Sequence, residues 1–281
     1  MSEIRVWVDG QVVDMNAPTL RALDHGVTVG DGAFETCKIV DGKAFALTRH
    51  FRRLGRTLDG LGLPQVDEAH VREGIEAVLS GDPIPFGRVR ITVTGGLGPL
   101  SSDRTDSPAT VIVAATPSRP HKPSAAVITV PWVRNERGAT AGLKTTSYAE
   151  NVIAISRAIS QGAEEALMAN TRDELCEGTA SNVFVVTDGV LRTPPLESGC
   201  LAGITRELAI EWGRAAGLEV VEETLPFSVL ETADEVIISN SSRDVQGVHV
   251  VDGRQLAAPG PITQKLVDVW RQAERDLGMD P

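Results

Sequence analysis

A lysine and a carboxylate are the residues of this chain whose settings point to chemistry. Lys144 stands in LKTTSY, after Ala-Gly-Leu and before a run of hydroxyl residues. In such a partly dry, polar-edged setting a lysine loses its proton more readily, and the neutral amine is the form that attacks an aldehyde to give a Schiff base. Glu177 stands in ELCEGTASNVFVV, read as a loop acid just ahead of Gly178-Thr179 and the apolar strand that follows. A carboxylate there can keep the nitrogen of a pyridine ring protonated, so that the ring accepts an electron pair from a substrate carbon. A third element is LAGITRELAIEW, where Gly203-Ile204-Thr205 lead into a helix predicted to start near Thr205. Its first N–H groups, the helix dipole and the Thr hydroxyl suit a phosphate. SNSSRD, Ser239 to Asp244, offers further hydroxyls, and Arg53 a positive charge. Each also has an ordinary reading: a surface lysine, a solvated turn acid, a Thr N-cap, a polar turn and a helix-surface cation. Together they are what a pyridoxal phosphate enzyme needs.

The elements that must position these residues follow from punctuation and period. Asp-Gly pairs at Asp9-Gly10, Asp41-Gly42, Asp188-Gly189 and Asp252-Gly253, flanked by apolar alternation, predict hairpin turns. RHFRRLGRTLDGLGL repeats apolar residues at Phe51, Leu54, Leu58 and Leu61, the helical interval, and a second helix is predicted over Glu68 to Leu79. GRVRITVTGG and ATVIVAAT read as strands, which makes residues 1–117 a small N-terminal α/β domain of α+β character. TPSRPHKPS carries three prolines in nine residues, so residues 118–124 are expected to be a stiff linker. Beyond it, AVITVPWV, EALMAN and NVFVVTDGVLRTP read as strands, and Ala149 to Gln161, Thr205 to Ala216 and Ile262 to Leu277 as helices. Residues 125–281 are thus expected to form a larger mixed domain that carries the lysine.

Composition narrows the function classes. A chain of 281 residues is long enough for one large domain or two modest ones, and it has no run of about twenty apolar residues that would span a membrane. The start MSEIRVWVDG shows no export pattern, so a cytoplasmic location is expected. Cys37, Cys176 and Cys200 lack CxxC spacing, which argues for no structural metal and a reducing compartment. A net charge of −11 argues against nucleic acid as a partner.

The order of the motifs resembles the class IV aminotransferase group, the fold type IV pyridoxal phosphate enzymes that include branched-chain and D-amino-acid aminotransferases and aminodeoxychorismate lyase. The resemblance rests on GDGAFET (Gly30 to Thr36), RHFRRL, LKTTSYAEN, EGTASNVFVV, LAGITRE and ADEVIISNSS, and covers nearly the whole chain. It implies a two-domain α/β fold with the cofactor, pyridoxal 5'-phosphate, in the interdomain cleft, and a homodimer. It implies Lys144 as the Schiff-base lysine and proton shuttle, and Glu177 at the pyridine nitrogen. Arg53, Gly203, Ile204, Thr205 and Ser241 would hold phosphate, Leu201 would pack on the ring, and Tyr148 could contact cofactor or lysine, a core tyrosine being the alternative.

Within that group, FETCKI resembles the YEVVKV pattern of D-amino-acid aminotransferases and puts Lys38 on the substrate side. Those enzymes carry a carboxylate-binding arginine in a TRG motif, where this chain reads Thr94-Gly95-Gly96. Arg90, Arg104 and Arg243 are the arginines that could replace it, with Thr36 and Ser242 as further substrate contacts. The expected activity is amino transfer from an amino acid, a D-amino acid or (R)-amine being favoured, to a 2-keto acid. The alternatives are 4-amino-4-deoxychorismate lyase and a branched-chain L-amino-acid aminotransferase.

Overall fold

Asp-Gly dipeptides tolerate positive φ at both residues, and that conformation matches the twist of a two-residue hairpin. All four pairs adopt it: Asp9, Asp41, Asp188 and Asp252 have φ of 42°, 47°, 52° and 47°, and the glycines that follow are positive as well. Each joins antiparallel neighbours, as in Val8 opposite Gln11 and Val251 opposite Arg254. The computed structural model describes residues 4–281. Chain contacts divide it into two units.

The first unit comprises Met1–Pro120, Leu143–Tyr148 and Met279–Pro281. Its sheet is antiparallel throughout, in the order Gln11–Val13, Arg5–Val8, Thr110–Pro117, Phe86–Thr94, Gly32–Val40 and Lys43–Ala44. The helices Leu47–Leu61 and Glu68–Leu79 pack their apolar faces on it, with Leu54, Leu58, Val71, Ile75 and Val78 meeting Trp7, Cys37, Ile39, Val89 and Val113 in one core. The helix Leu47–Leu61 has no cap of its own, because Ala46 stands at its start with φ 55°. The end of the chain supplies one: Met279 accepts the Ala46 N–H, and Asp280 accepts the Thr48 N–H at 2.9 Å.

Lys144 was expected with the second domain by chain order, and the structure places it in the first unit. The segment Leu143–Tyr148 pairs with the start of Gly32–Val40: Phe34 N–H donates to Lys144 C=O at 3.0 Å and Thr146 N–H to Gly32 C=O at 2.8 Å. Backbone pairing of this kind has no local sequence signal.

The second unit comprises His121–Gly142 and Ala149–Gly278. Its sheet is mixed, in the order Val220–Glu222, Val190–Thr193, Asn182–Thr187, Glu235–Asn240, Asp244–Val251, Ser124–Thr129, Glu165–Ala169 and Leu175–Gly178, with Arg254–Gln255 beside Asp244–Val251. The helices Ala149–Ser160, Ile204–Ala215 and Pro261–Leu277 accompany it. Glu177 was read as a loop residue and is instead in the strand Leu175–Gly178, opposite Met168. All four residues of that strand are buried, so it lacks the alternation by which a half-buried strand is recognised. Among the described residues no helix is long and apolar enough to cross a membrane.

Candidate active site

In the first unit the site begins with two glycines. Gly30 has φ +69°, and a Cβ there would lie 2.7 Å from Ser147 Oγ; at Gly32 it would lie 2.6 Å from Val93 C=O and 3.0 Å from Thr146 Oγ1. The GDG of the sequence is therefore where the lysine segment approaches the sheet too closely for a side chain. Thr146 and Ser147 fasten it by donating their hydroxyls to Gly30 C=O at 2.8 and 2.9 Å. Lys144 N–H donates to the Thr57 hydroxyl at 3.3 Å.

So fixed, Lys144 places Nζ 4.3 Å from the centre of the Phe34 ring. The Arg90 guanidinium lies 4.4 Å from the same ring, and Tyr148 meets it edge-on at 5.2 Å. Arg90 Nε also donates to Thr36 Oγ1 at 3.3 Å. Strand alternation puts Phe34, Thr36 and Lys38 on one face of Gly32–Val40 and Glu35, Cys37 and Ile39 on the other. Lys38 is buried, with Nζ 4.9 Å from the Phe45 ring.

The opposite face holds Arg53, whose helix-surface reading the structure overturns: it is buried and grips Glu35 with Nε at 2.7 Å and Nη2 at 2.6 Å. The His50 ring donates from Nδ1 to the same carboxylate at 2.7 Å. Although burial opposes the charged form, Arg53 and His50 hold the Glu35 carboxyl far below the ordinary range. For His50 burial outweighs the attraction of Glu35 and its pKa is lowered.

Arg104 uses its fork on Asp31, at 2.8 and 2.6 Å, and gives Nη1 to Leu61 C=O at 2.7 Å and Gly62 C=O at 3.1 Å. Its hydrogen bonds and charge lower the Asp31 pKa. Asp31 in turn explains TGG: a Cβ on Gly95 would lie 2.5 Å from Asp31 Oδ2, so a larger residue there has to displace the Asp31–Arg104 pair.

In the second unit the strand Leu175–Gly178 delivers Glu177, whose Oε2 accepts the Leu201 N–H at 2.9 Å. Behind it, the buried Glu165 carboxylate accepts the Thr179 N–H at 3.0 Å, the Ser181 hydroxyl at 2.9 Å and the Thr179 hydroxyl, locking the turn after Glu177. The helix Ile204–Ala215 starts one residue earlier than predicted and has Gly203, not the Thr205 hydroxyl, at its N-cap, with no side-chain cap. A Cβ on Gly203 would fall 1.9 Å from Asn182 Oδ1, while Asn182 Nδ2 donates to Leu201 C=O at 2.8 Å. Ser241 sits in the turn after Glu235–Asn240, where Asn240 Oδ1 accepts the Ser242 and Arg243 N–H groups, each at 2.9 Å, and Asn240 Nδ2 reaches Ala180 C=O. Glu177, Leu201, the uncapped helix start and the Ser241 turn are thus tied together. Arg243 is taken by Gln246 Oε1 at 2.8 Å and Glu164 C=O at 3.0 Å.

An uncapped helix start with a glycine whose Cβ would fill the space, and a carboxylate held by a backbone N–H, fit a phosphorylated pyridine. Sequence reasoning did not single out Phe34, Glu35, His50, Arg134 or Glu165. Phe34 and Glu35 lie within the GAFET motif and His50 within RHFRRL, while Arg134 and Glu165 carry no local signal.

Comparison with known proteins identifies the family. The model of the amino-transferase class IV family matches residues 32–251. D-alanine aminotransferase of Staphylococcus haemolyticus is 32% identical over 272 residues, covering 93% of this chain and 95% of its own. The branched-chain aminotransferase of the archaeon Thermoproteus uzoniensis, solved with norvaline, superposes with a TM-score of 0.87 at 28% identity, over 95% of this chain and 93% of that one. A hypothetical aminotransferase from Mycobacterium tuberculosis in its PLP-bound form gives a TM-score of 0.83 at 26% identity, over 96% and 98% of the two chains. The chain belongs to the class IV aminotransferases. It is an enzyme of fold type IV that depends on pyridoxal phosphate and acts on small amino and keto compounds.

Proposed function

We propose that the chain moves an amino group from a D-amino acid or an (R)-amine to a 2-keto acid, with Lys144 as the residue bonded to the cofactor. The observation that carries this reading is the cluster on Phe34, which gathers the Lys144 amine, the Arg90 guanidinium and the Tyr148 ring. Pyridoxal phosphate, when bound, supplies an aldehyde and a ring that stores an electron pair. Glu177 would hold the ring nitrogen and Leu201 the ring face. Arg53, Gly203, the Ile204 and Thr205 N–H groups, the Thr205 hydroxyl and Ser241 would hold the phosphate, with Tyr148 beside the lysine. Glu35 orients the Arg53 plane for that task. Nζ of Lys144, as the free amine, would take the α-proton from the donor's carbon and deliver it to the cofactor's aldehyde carbon, and would run the same proton in reverse for the keto acid.

For the substrate end we assign Arg90, with Thr36 and Lys38 on the same strand face. Arg104 and Arg243 are engaged by Asp31, Leu61 and Gly62, and by Gln246 and Glu164. Ser242 lies beside Ser241 in the second unit. A branched-chain L-amino-acid specificity is the second reading, favoured by the likeness to the Thermoproteus enzyme.

The test is the half-reaction without keto acid: D-alanine, D-glutamate, L-leucine and (R)-1-phenylethylamine are added singly to the holoenzyme while its visible absorbance is followed. Bleaching by D-alanine, D-glutamate or the (R)-amine is expected. Bleaching by L-leucine alone establishes the branched-chain reading. If no donor bleaches the cofactor, release of 4-aminobenzoate from aminodeoxychorismate identifies a lyase.

The working form is proposed to be a homodimer. Val152, Ile153 and Ile159 are exposed on the helix Ala149–Ser160, which buries Ala154 and Ala158 on its other side, and such an apolar face suits a second copy. Light scattering at micromolar concentration should give twice the chain mass, and a monomer mass would remove the proposal.

A further inference from the structure

Glu177 is held from two sides in a place where water is scarce. The Leu201 N–H takes Oε2 at 2.9 Å, and Arg134 Nε lies 3.1 Å from Oε1. The Nε–H of Arg134 is itself buried and off the hydrogen-bond line, so this contact is an ion pair set by charge and not a directed donor. Backbone pairing delivers the guanidinium: Arg134 N–H donates to Ala169 C=O at 2.8 Å and Arg134 bridges with Asn170, just past Met168, the strand partner of Glu177.

We propose that Arg134 is a positioning residue for the cofactor's ring nitrogen, its charge beside Glu177 keeping that carboxylate ionised toward the ring. This rests on the assignment of Glu177 above. A carboxylate at this depth, left without a cation, favours its neutral form. Its other charged or titratable neighbours do not help. Cys176 and Cys200 are neutral thiols, both pushed up by burial, Cys200 to about 11. Glu150, on the helix Ala149–Ser160, is 3.8 Å from Arg134 and adds negative charge, as does Glu165, which lies against Gly178. Arg206 acts on the far side, near Cys200, and is engaged by Pro194 C=O and Glu222. Arg134 brings a positive charge into contact with the carboxylate.

The test uses pyridoxine 5'-phosphate, which has the ring and the phosphate but no aldehyde, so Lys144 chemistry does not enter. Its affinity for the apoprotein is measured calorimetrically from pH 8.5 to pH 6 for wild type, Arg134→Met, Arg134→Gln, Arg134→Lys, Glu177→Gln and the double variant Arg134→Met/Glu177→Gln, with a melting curve for each. The wild-type to Arg134→Met affinity ratio should grow about tenfold as pH falls, the scale of losing one paired charge beside a carboxylate. Arg134→Gln, neutral and similar in reach, should do the same and serves if Arg134→Met does not fold. Arg134→Lys should stay within about threefold of wild type, and Arg134→Met should add less than about twofold in the Glu177→Gln background. A ratio that is flat with pH, or an Arg134 effect that persists undiminished without the Glu177 charge, overturns the inference while leaving Glu177 in place. If Glu177→Gln binds as tightly as wild type, the assignment of Glu177 itself has failed.

Discussion

The two units solve the same problem, holding charge out of water, in different ways. In the first, side chain meets side chain: Glu35 is closed by Arg53 and His50, and Asp31 by Arg104. In the second, backbone N–H groups share the carboxylates with side chains and stand open at a helix start. Glu177 takes the Leu201 N–H, Glu165 the Thr179 N–H, and the helix Ile204–Ala215 begins with no side-chain cap at all. A buried ion pair fixes orientation whether or not a ligand is present, and leaves a charge stranded when one member is removed. A helix start offers N–H groups to whatever anion arrives. The first unit is therefore built for aim, and the second for reception.

The largest break in that comparison is Lys144→Ala, which removes what the first unit aims. Turnover should fall at least about 10²–10⁴-fold, and the visible band of the covalently held cofactor should vanish. Residual transamination near the wild-type rate would show that a different lysine carries the chemistry.

Glu35→Gln tests whether aim depends on the ion pair. Arg53 keeps its charge and its burial but loses its counterion, so the unit should lose about 3–5 kcal/mol, read as a lower denaturant midpoint. An unchanged midpoint would mean that water replaces Glu35. Gly203→Ala is the matching break in the second unit. Its Cβ would fall 1.9 Å from Asn182 Oδ1, and displacing Asn182 frees Leu201. The folded state should lose about 1–3 kcal/mol, the usual cost of overpacking, and cofactor affinity should fall with it. Tight binding in this variant would place the phosphate elsewhere.

The smallest effect expected is that of pH. Burial lowers the His50 pKa below 6.5, so in that range the unfolded chain binds a proton that the folded chain refuses, and stability falls as pH drops through 6.5. Glu35 is depressed from 4.5, so its contribution is present above that value and is lost as pH falls further. Both act in the same direction and both belong to the first unit. Protection against hydrogen exchange in Gly32–Val40, corrected for the intrinsic rate at each pH, should therefore fall between pH 7 and pH 5 more than in Glu235–Asn240; an equal fall would dissolve the contrast.

How much of this was legible in the sequence depends on range. The Asp-Gly hairpins and the helix over Glu68–Leu79 were, because turn chemistry and apolar period are local. The site motifs were legible as motifs, but their partners were not. Arg53 reads as one more cation on a basic helix until Glu35 is brought against it from the facing strand, and Glu177 reads as a turn acid because its strand is buried on both faces. Arg134 lies among charged loop residues, and only strand pairing at Ala169 shows where it points.

The make-up of the first unit bears on how the protein is born. Its sheet needs Leu143–Tyr148, and its Arg53 helix needs Asp280 as a cap, so a polypeptide emerging from the ribosome cannot finish that unit when residue 120 appears. The nascent chain must keep an unsealed sheet edge and a frayed helix until Leu143–Tyr148 and Asp280 have been made, and that interval is when a chaperone would find it.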